Sequence, residues 1–98
     1  MLTNTQIRFL KSAAHPLRPI VLIGAKGLTA AVDREINLAL ESHELIKIKL
    51  GNIDDASQQH MINHIQTQHK AHFVQKIGHT AIFFRQNPKD SQFKLPKN

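Results

Sequence analysis

The sequence predicts an α/β fold in the order α-β-α-β-α-β-β, a small four-stranded mixed sheet layered with helices. Three observations predict it. Segments with apolar residues at helical spacing alternate with short strand-like runs, a pattern that calls for right-handed parallel crossovers. The last two strand-like runs are separated only by Gly78-His79, the length of a two-residue hairpin loop, so the final strand must run antiparallel. The chain has 98 residues, enough for one hydrophobic core and too few for two.

The elements follow in order. Thr3 and Gln6 form a capping box at the start of the first helix, and Leu2 can staple to Ile7. Ile7, Leu10 and Ala14 give that helix its apolar stripe, and Pro16 and Pro19 end it. Strand 1, Ile20 to Ile23, is apolar at every position, which predicts that both of its faces are covered. Thr29 is the expected N-cap of a second helix reaching His43, with Leu28, Val32, Ile36, Ala39 and Leu40 on its core side. Strand 2, Leu45 to Leu50, alternates: Ile46, Ile48 and Leu50 face one way, Lys47 and Lys49 the other. Asp54 or Asp55 caps a polar third helix that reaches about Lys70 and is anchored by Ala56, Met61, Ile62 and Ile65. Phe73 to Ile77 and Thr80 to Arg85 are strands 3 and 4. Residues 1–86 read as a single domain. Residues 87–98 form a basic tail, rich in Pro, Lys and Asn, expected to fray as a flexible end.

Composition narrows the function. Lys and Arg number 13 against 7 Asp and Glu, a net charge of +6 that favours a polyanionic partner. No basic helix carries an exposed apolar face, which argues against a membrane surface. Cysteine is absent, so disulfides and Cys-based zinc sites are excluded. No signal peptide or transmembrane-length apolar run is visible, and the expected location is cytoplasmic.

The most informative stretch is Ile23-Gly24-Ala25-Lys26-Gly27-Leu28-Thr29, where an apolar strand runs through a Gly-x-x-Gly turn directly into a helix. Two glycines let the backbone approach a ligand closely, and the helix aims its free first-turn N–H groups and positive dipole end at the same place. Lys26 adds a mobile charge. This is the chemistry of a phosphate site, and in so basic a chain the phosphate of a nucleic acid. A tight βα turn needing φ > 0 would explain the glycines without any ligand.

The order of these segments resembles the CRM domain family (chloroplast RNA splicing and ribosome maturation), in its stand-alone bacterial YhbY form. The matching residues are Leu17-Arg18-Pro19, the stretch Ile23 to Thr29, His43-Glu44-Leu45-Ile46-Lys47-Ile48-Lys49, Ile77-Gly78 and Phe84-Arg85. The last pair stands where many relatives carry Tyr-Arg. The resemblance implies an RNA-binding module with a KH-like Gly-x-x-Gly loop. It also implies a fold similar to the C-terminal domain of translation initiation factor three, with sheet order 1-2-4-3. The implied partner is ribosomal RNA in precursors of the large ribosomal subunit, with a monomer as the expected state. In that sheet the C-terminal ends of strands 1, 2 and 3 share a rim. The candidate RNA-binding residues are then Gly24, Ala25, Lys26, Gly27, Leu28 and Thr29, with Lys49, Lys76 and His79 along the rim. Arg85 and Arg18 would lie at the opposite rim.

Other chemistry is thin. His60 and His64 are spaced i, i+4, but no carboxylate or cysteine completes a metal set, so the histidines of the third helix read as solvent-facing and no metal or cofactor is expected. No P-loop or nucleophile motif is present, and the expectation is a protein without catalytic activity. A protein-interaction adaptor, or a nucleic-acid module without a role in ribosome assembly, are the alternatives that composition leaves open.

Overall fold

Each helix begins where a side chain replaces a missing backbone partner. In the computed structural model, which describes residues 2–97, α1 spans Asn4–Ala14. The capping box forms in full: Thr3 Oγ1 accepts the Gln6 N–H at 3.1 Å, and Gln6 Oε1 accepts the Thr3 N–H at 3.0 Å. β1 is Pro19–Leu22 and α2 is Ala30–His43, capped by Thr29 Oγ1 on the Val32 N–H. β2 is Leu45–Lys49. α3 is Asp55–His69, capped by the Asp54 carboxylate on the Ser57 N–H and hydroxyl. β3, His72–Ile77, and β4, Thr80–Phe84, close the chain as a hairpin with Gly78 at φ +59° in the two-residue loop.

The four strands form one sheet in the order β1-β2-β4-β3. β1 pairs parallel with β2, and β4 is antiparallel to both β2 and β3. Strands 1, 2 and 3 therefore point the same way. One sheet face carries the main core, where Val21, Ile46, Ile48, Ala81 and Phe83 meet Ile36 and Leu40 of α2 and Ile62 and Ile65 of α3. The other face carries a smaller core, where Leu45, Val74, Ile82 and Phe84 meet Leu10 and Ala14 of α1.

Two expectations, on β1 and on α3, need correction, and the C-terminal segment adds contacts of its own. β1 is an edge strand, and only Val21 within it is buried. Its second face is open because α1 packs on β2, β4 and β3 instead: Ile20 and Leu22 are 45% and 64% exposed. In α3 it is Gln58 and His69, beside Ile62 and Ile65, that are buried, while Ala56 is exposed. The segment from Asn87 to Lys97 has no regular secondary structure, yet it is not splayed from the domain. Phe93 and Leu95 pack against the smaller core, with the Phe93 ring edge-on to Phe84 at 5.6 Å between centroids. Gln6 Nε2 donates to the Pro96 carbonyl at 3.0 Å.

Candidate nucleic-acid interface

The chain leaves the sheet just beyond β1. The Ile23 N–H still donates to the Lys49 carbonyl at 2.9 Å, and the turn then closes with the Gly27 N–H on the Gly24 carbonyl at 3.0 Å. Ala25 and Lys26 form its exposed tip. The N–H groups of Ala25 and Lys26 at the exposed tip find no acceptor among the described residues, nor do those of Ala30 and Ala31, because a helix has no partners for its first turn and only Val32 is served by the cap. The turn thus gathers unbonded N–H groups at the positive end of the α2 dipole, which suits a bound anion.

The two glycines differ. Gly27 has φ +72°, a conformation that L side chains rarely adopt, so the backbone alone calls for glycine there. Gly24 has no such need. Its φ is ordinary, and a Cβ built on it would meet nothing within 4 Å. A tight turn therefore accounts for Gly27 and leaves Gly24 without a structural reason. Lys26 is exposed and has no hydrogen-bond or ion-pair partner among the described residues.

The remaining candidates separate. Leu28 packs against the main core, so its side chain supports the turn from beneath. The Thr29 hydroxyl is occupied by the helix cap. Lys49 is exposed on the α1 face at the end of β2. Lys76 is on the opposite face of the sheet, paired in register with buried Ala81, and its ammonium lies 3.6 Å from the Asp55 carboxylate. His79 sits in the hairpin loop, where its Nδ1 accepts from Gln58 Nε2 at 2.8 Å, while the same amide donates to the Gly51 carbonyl at 2.9 Å. Among the described residues the rim therefore holds two lysines without a partner, Lys26 and Lys49, and two residues already engaged with α3.

Several polar residues turn out to hold the scaffold. Asp33 of α2 accepts from His69 Nε2 at 2.9 Å and from His64 Nε2 at 3.2 Å, tying α2 to α3. The expectation of solvent-facing histidines on α3 is therefore corrected: His60 is exposed, but His64 is half-buried and His69 buried. Burial raises the Asp33 carboxyl, and the hydrogen bonds and charges of His69 and His64 more than offset it, leaving it below its ordinary value. Among the described residues no group of three or more His, Cys, Asp or Glu is arranged to hold a metal ion. Arg85, at the far rim, donates to the carbonyls of His69 and Asn37 and so clamps α3 and α2 together. Lys47 donates to the Leu17 carbonyl at 3.0 Å, fixing the connector after α1.

Glu44 was legible in the sequence only as part of a resemblance. It caps α2 at φ 64°, is 2% exposed, and its carboxylate accepts from the Asn87 N–H, the Ser91 hydroxyl and the Gln92 N–H at 2.6–2.7 Å. Burial raises its carboxyl, but those three donors outweigh burial and hold it below the ordinary value.

Sheet, crossover and turn together define a small α/β domain of the kind that offers backbone N–H groups and lysines to an anion. A family profile matches residues 2–85, and the chain belongs to the CRS1/YhbY (CRM) domain family. It is 42% identical over 96 residues to an RNA-binding protein of Haemophilus influenzae, covering 98% of this chain and 96% of that one. It is 32% identical over 96 residues to YqeI of Bacillus subtilis, named a probable RNA-binding protein, covering 98% of this chain and all of that one. The solution structure of a Staphylococcus aureus protein, described as a candidate RNA-binding protein, superposes with a TM-score of 0.84 at 29% identity. That match covers 98% of this chain and 100% of the other. No helix among the described residues is long and apolar enough to cross a membrane.

Proposed function

We propose that this chain is a non-enzymatic, cytoplasmic RNA-binding protein that holds structured ribosomal RNA and acts on precursors of the large ribosomal subunit. The observation that carries the reading is the Gly24–Gly27 turn. It has a glycine the fold does not require, an unpaired Lys26 at its tip, and unbonded N–H groups at a helix N-terminus. Together these accept a phosphate, and Lys49 extends the positive rim beyond it. No Tyr or Trp is present, Phe83 and Phe84 are buried, Phe73 and Phe93 are half-buried, and Phe9 on α1 is the one exposed ring among the described residues, so aromatic stacking contributes little and RNA shape outweighs sequence. The names of the relatives support RNA as the polyanion.

Lys26→Glu tests this. The residue is exposed, so stability should change by no more than about 0.5 kcal/mol. Affinity for ribosomal RNA at fixed salt should fall strongly, because repulsion replaces attraction in a focused positive potential. The variant should also leave the ribosome-precursor fractions of a cell extract, where the parent should sediment only until ribonuclease is added. Unchanged affinity in Lys26→Glu would reduce the loop to a turn and end the proposal.

A further inference from the structure

The acidic charges of this molecule are sorted by face. All of residues 1–32, which supply α1, β1 and the turn, carry Arg8, Lys11, Arg18 and Lys26 and no Asp or Glu. Asp33, Glu35 and Glu41 are on α2, and Asp54 and Asp55 sit at the start of α3, so five of the acids belong to the opposite layer. Glu44 is buried, and Asp90 lies in the segment that Glu44 holds at the far rim. The face that α1 only partly covers is therefore basic, and it is also apolar. In register across the sheet, Leu22 neighbours Lys49, Lys49 neighbours Thr80, and Thr80 neighbours Ile77. Their chain neighbours Val21, Ile48 and Ala81 point into the main core, so these four side chains share the open face. Leu22 is 64% exposed and Ile77 57%. The row crosses four strands, roughly 14 Å. It runs on from the Gly24–Gly27 turn, which begins two residues after Leu22.

Resting on the RNA reading above, we infer that the row Leu22–Lys49–Thr80–Ile77 is a second RNA surface, taking the bases and sugars of unpaired nucleotides that continue from the phosphate at the turn. Two exposed aliphatic side chains flanking a lysine suit a chain that alternates apolar base faces with charged phosphates. Aliphatic contacts tolerate any base, so the surface selects single-strandedness more than sequence. A purely acidic peptide would leave Leu22 and Ile77 without a partner. Duplex RNA is stiff, keeps its bases stacked inside, and can use the lysines alone.

Binding is measured for a short oligoadenylate and for an RNA duplex of equal length. In Leu22→Ser/Ile77→Ser, oligoadenylate affinity should fall about tenfold with an unchanged salt slope, since no phosphate contact is lost. Duplex affinity and melting temperature should stay as in the parent. Lys49→Ala should instead lower the salt slope by about one contact. In the unmodified protein, titrated oligoadenylate should shift the methyl NMR signals of Leu22 and Ile77, a readout that does not depend on any variant folding. Silent methyls, or oligoadenylate bound as tightly by the double variant while Lys26→Glu still loses RNA, would overturn the second surface and leave the loop standing. Loss of ribosomal co-sedimentation with both RNA affinities intact would also overturn it, by showing that the face meets protein.

Discussion

Replacing Glu44 by Gln keeps the size of a buried side chain and removes its charge. In the parent, Oε2 accepts from the Asn87 N–H and the Ser91 hydroxyl, and Oε1 accepts from the Gln92 N–H. An amide can leave its oxygen with Asn87 and Ser91, but its nitrogen then confronts the Gln92 N–H, donor against donor. The lost charge-assisted bond and the part-buried Gln92 N–H left facing another donor together cost about 3 kcal/mol. A domain of this size loses roughly 4–8 °C of melting temperature per kcal/mol, so a drop of more than about 10 °C is expected. The loss is capped if residues 87–97 lift off before the domain melts, because their attachment then rests on the remaining bonds to Asn87 and Ser91, the Phe93 and Leu95 packing, and the Gln6 and Gln86 side-chain contacts. Two assays separate these outcomes: thermal melting followed by circular dichroism, and limited trypsin digestion at Lys89, Lys94 and Lys97. Glu44→Gln should either melt early or be trimmed faster at those lysines. A variant that melts with the parent and is trimmed at the parent's rate would refute the claim that this carboxylate holds the C-terminal segment.

Two further tests follow from the turn and the helix clasp. Gly27→Val should lower stability by roughly 1–3 kcal/mol through backbone strain, since its Cβ would meet only the Met61 methyl at an ordinary 3.9 Å, whereas Gly24→Ala should melt with the parent yet bind RNA less well; equal melting of both variants would disprove the difference between the glycines. Asp33 and Glu44 both titrate below their ordinary values near 3.8 and 4.5, so each adds stability that is complete above those values and is lost as pH falls through the lower folded value. Urea unfolding should therefore show an acid limb that Asp33→Asn and Glu44→Gln each make shallower, and a limb of parental steepness in both variants would remove these carboxyls from its cause.

Much of this molecule is local in origin and was legible as such. Thr3, Thr29 and Asp54 start their helices because a cap needs only residues within one turn, and the alternation of Ile46 and Ile48 with Lys47 and Lys49 assigns the faces of β2 from period alone. The Gly24–Gly27 turn, with its lysine, is likewise contiguous in the chain. What contiguity could not decide is which neighbours each residue meets. Val21 and Leu22 are both apolar, but one is buried and the other exposed, because α2 and α3 cover the face that Val21 occupies while α1 packs on β2, β4 and β3 and leaves the other face of β1 open. Lys49 and Lys76 both stand near the shared rim. Register sends them to opposite faces, and Asp55 draws only Lys76. Asp33, His64, His69 and Glu44 look like ordinary surface polarity until distant segments arrive, more than thirty residues along the chain, to satisfy them. Period and caps are short-range properties that a sequence states directly, whereas burial and pairing of a polar group are set by the packing of elements far apart in the chain, and only the tertiary structure supplies that.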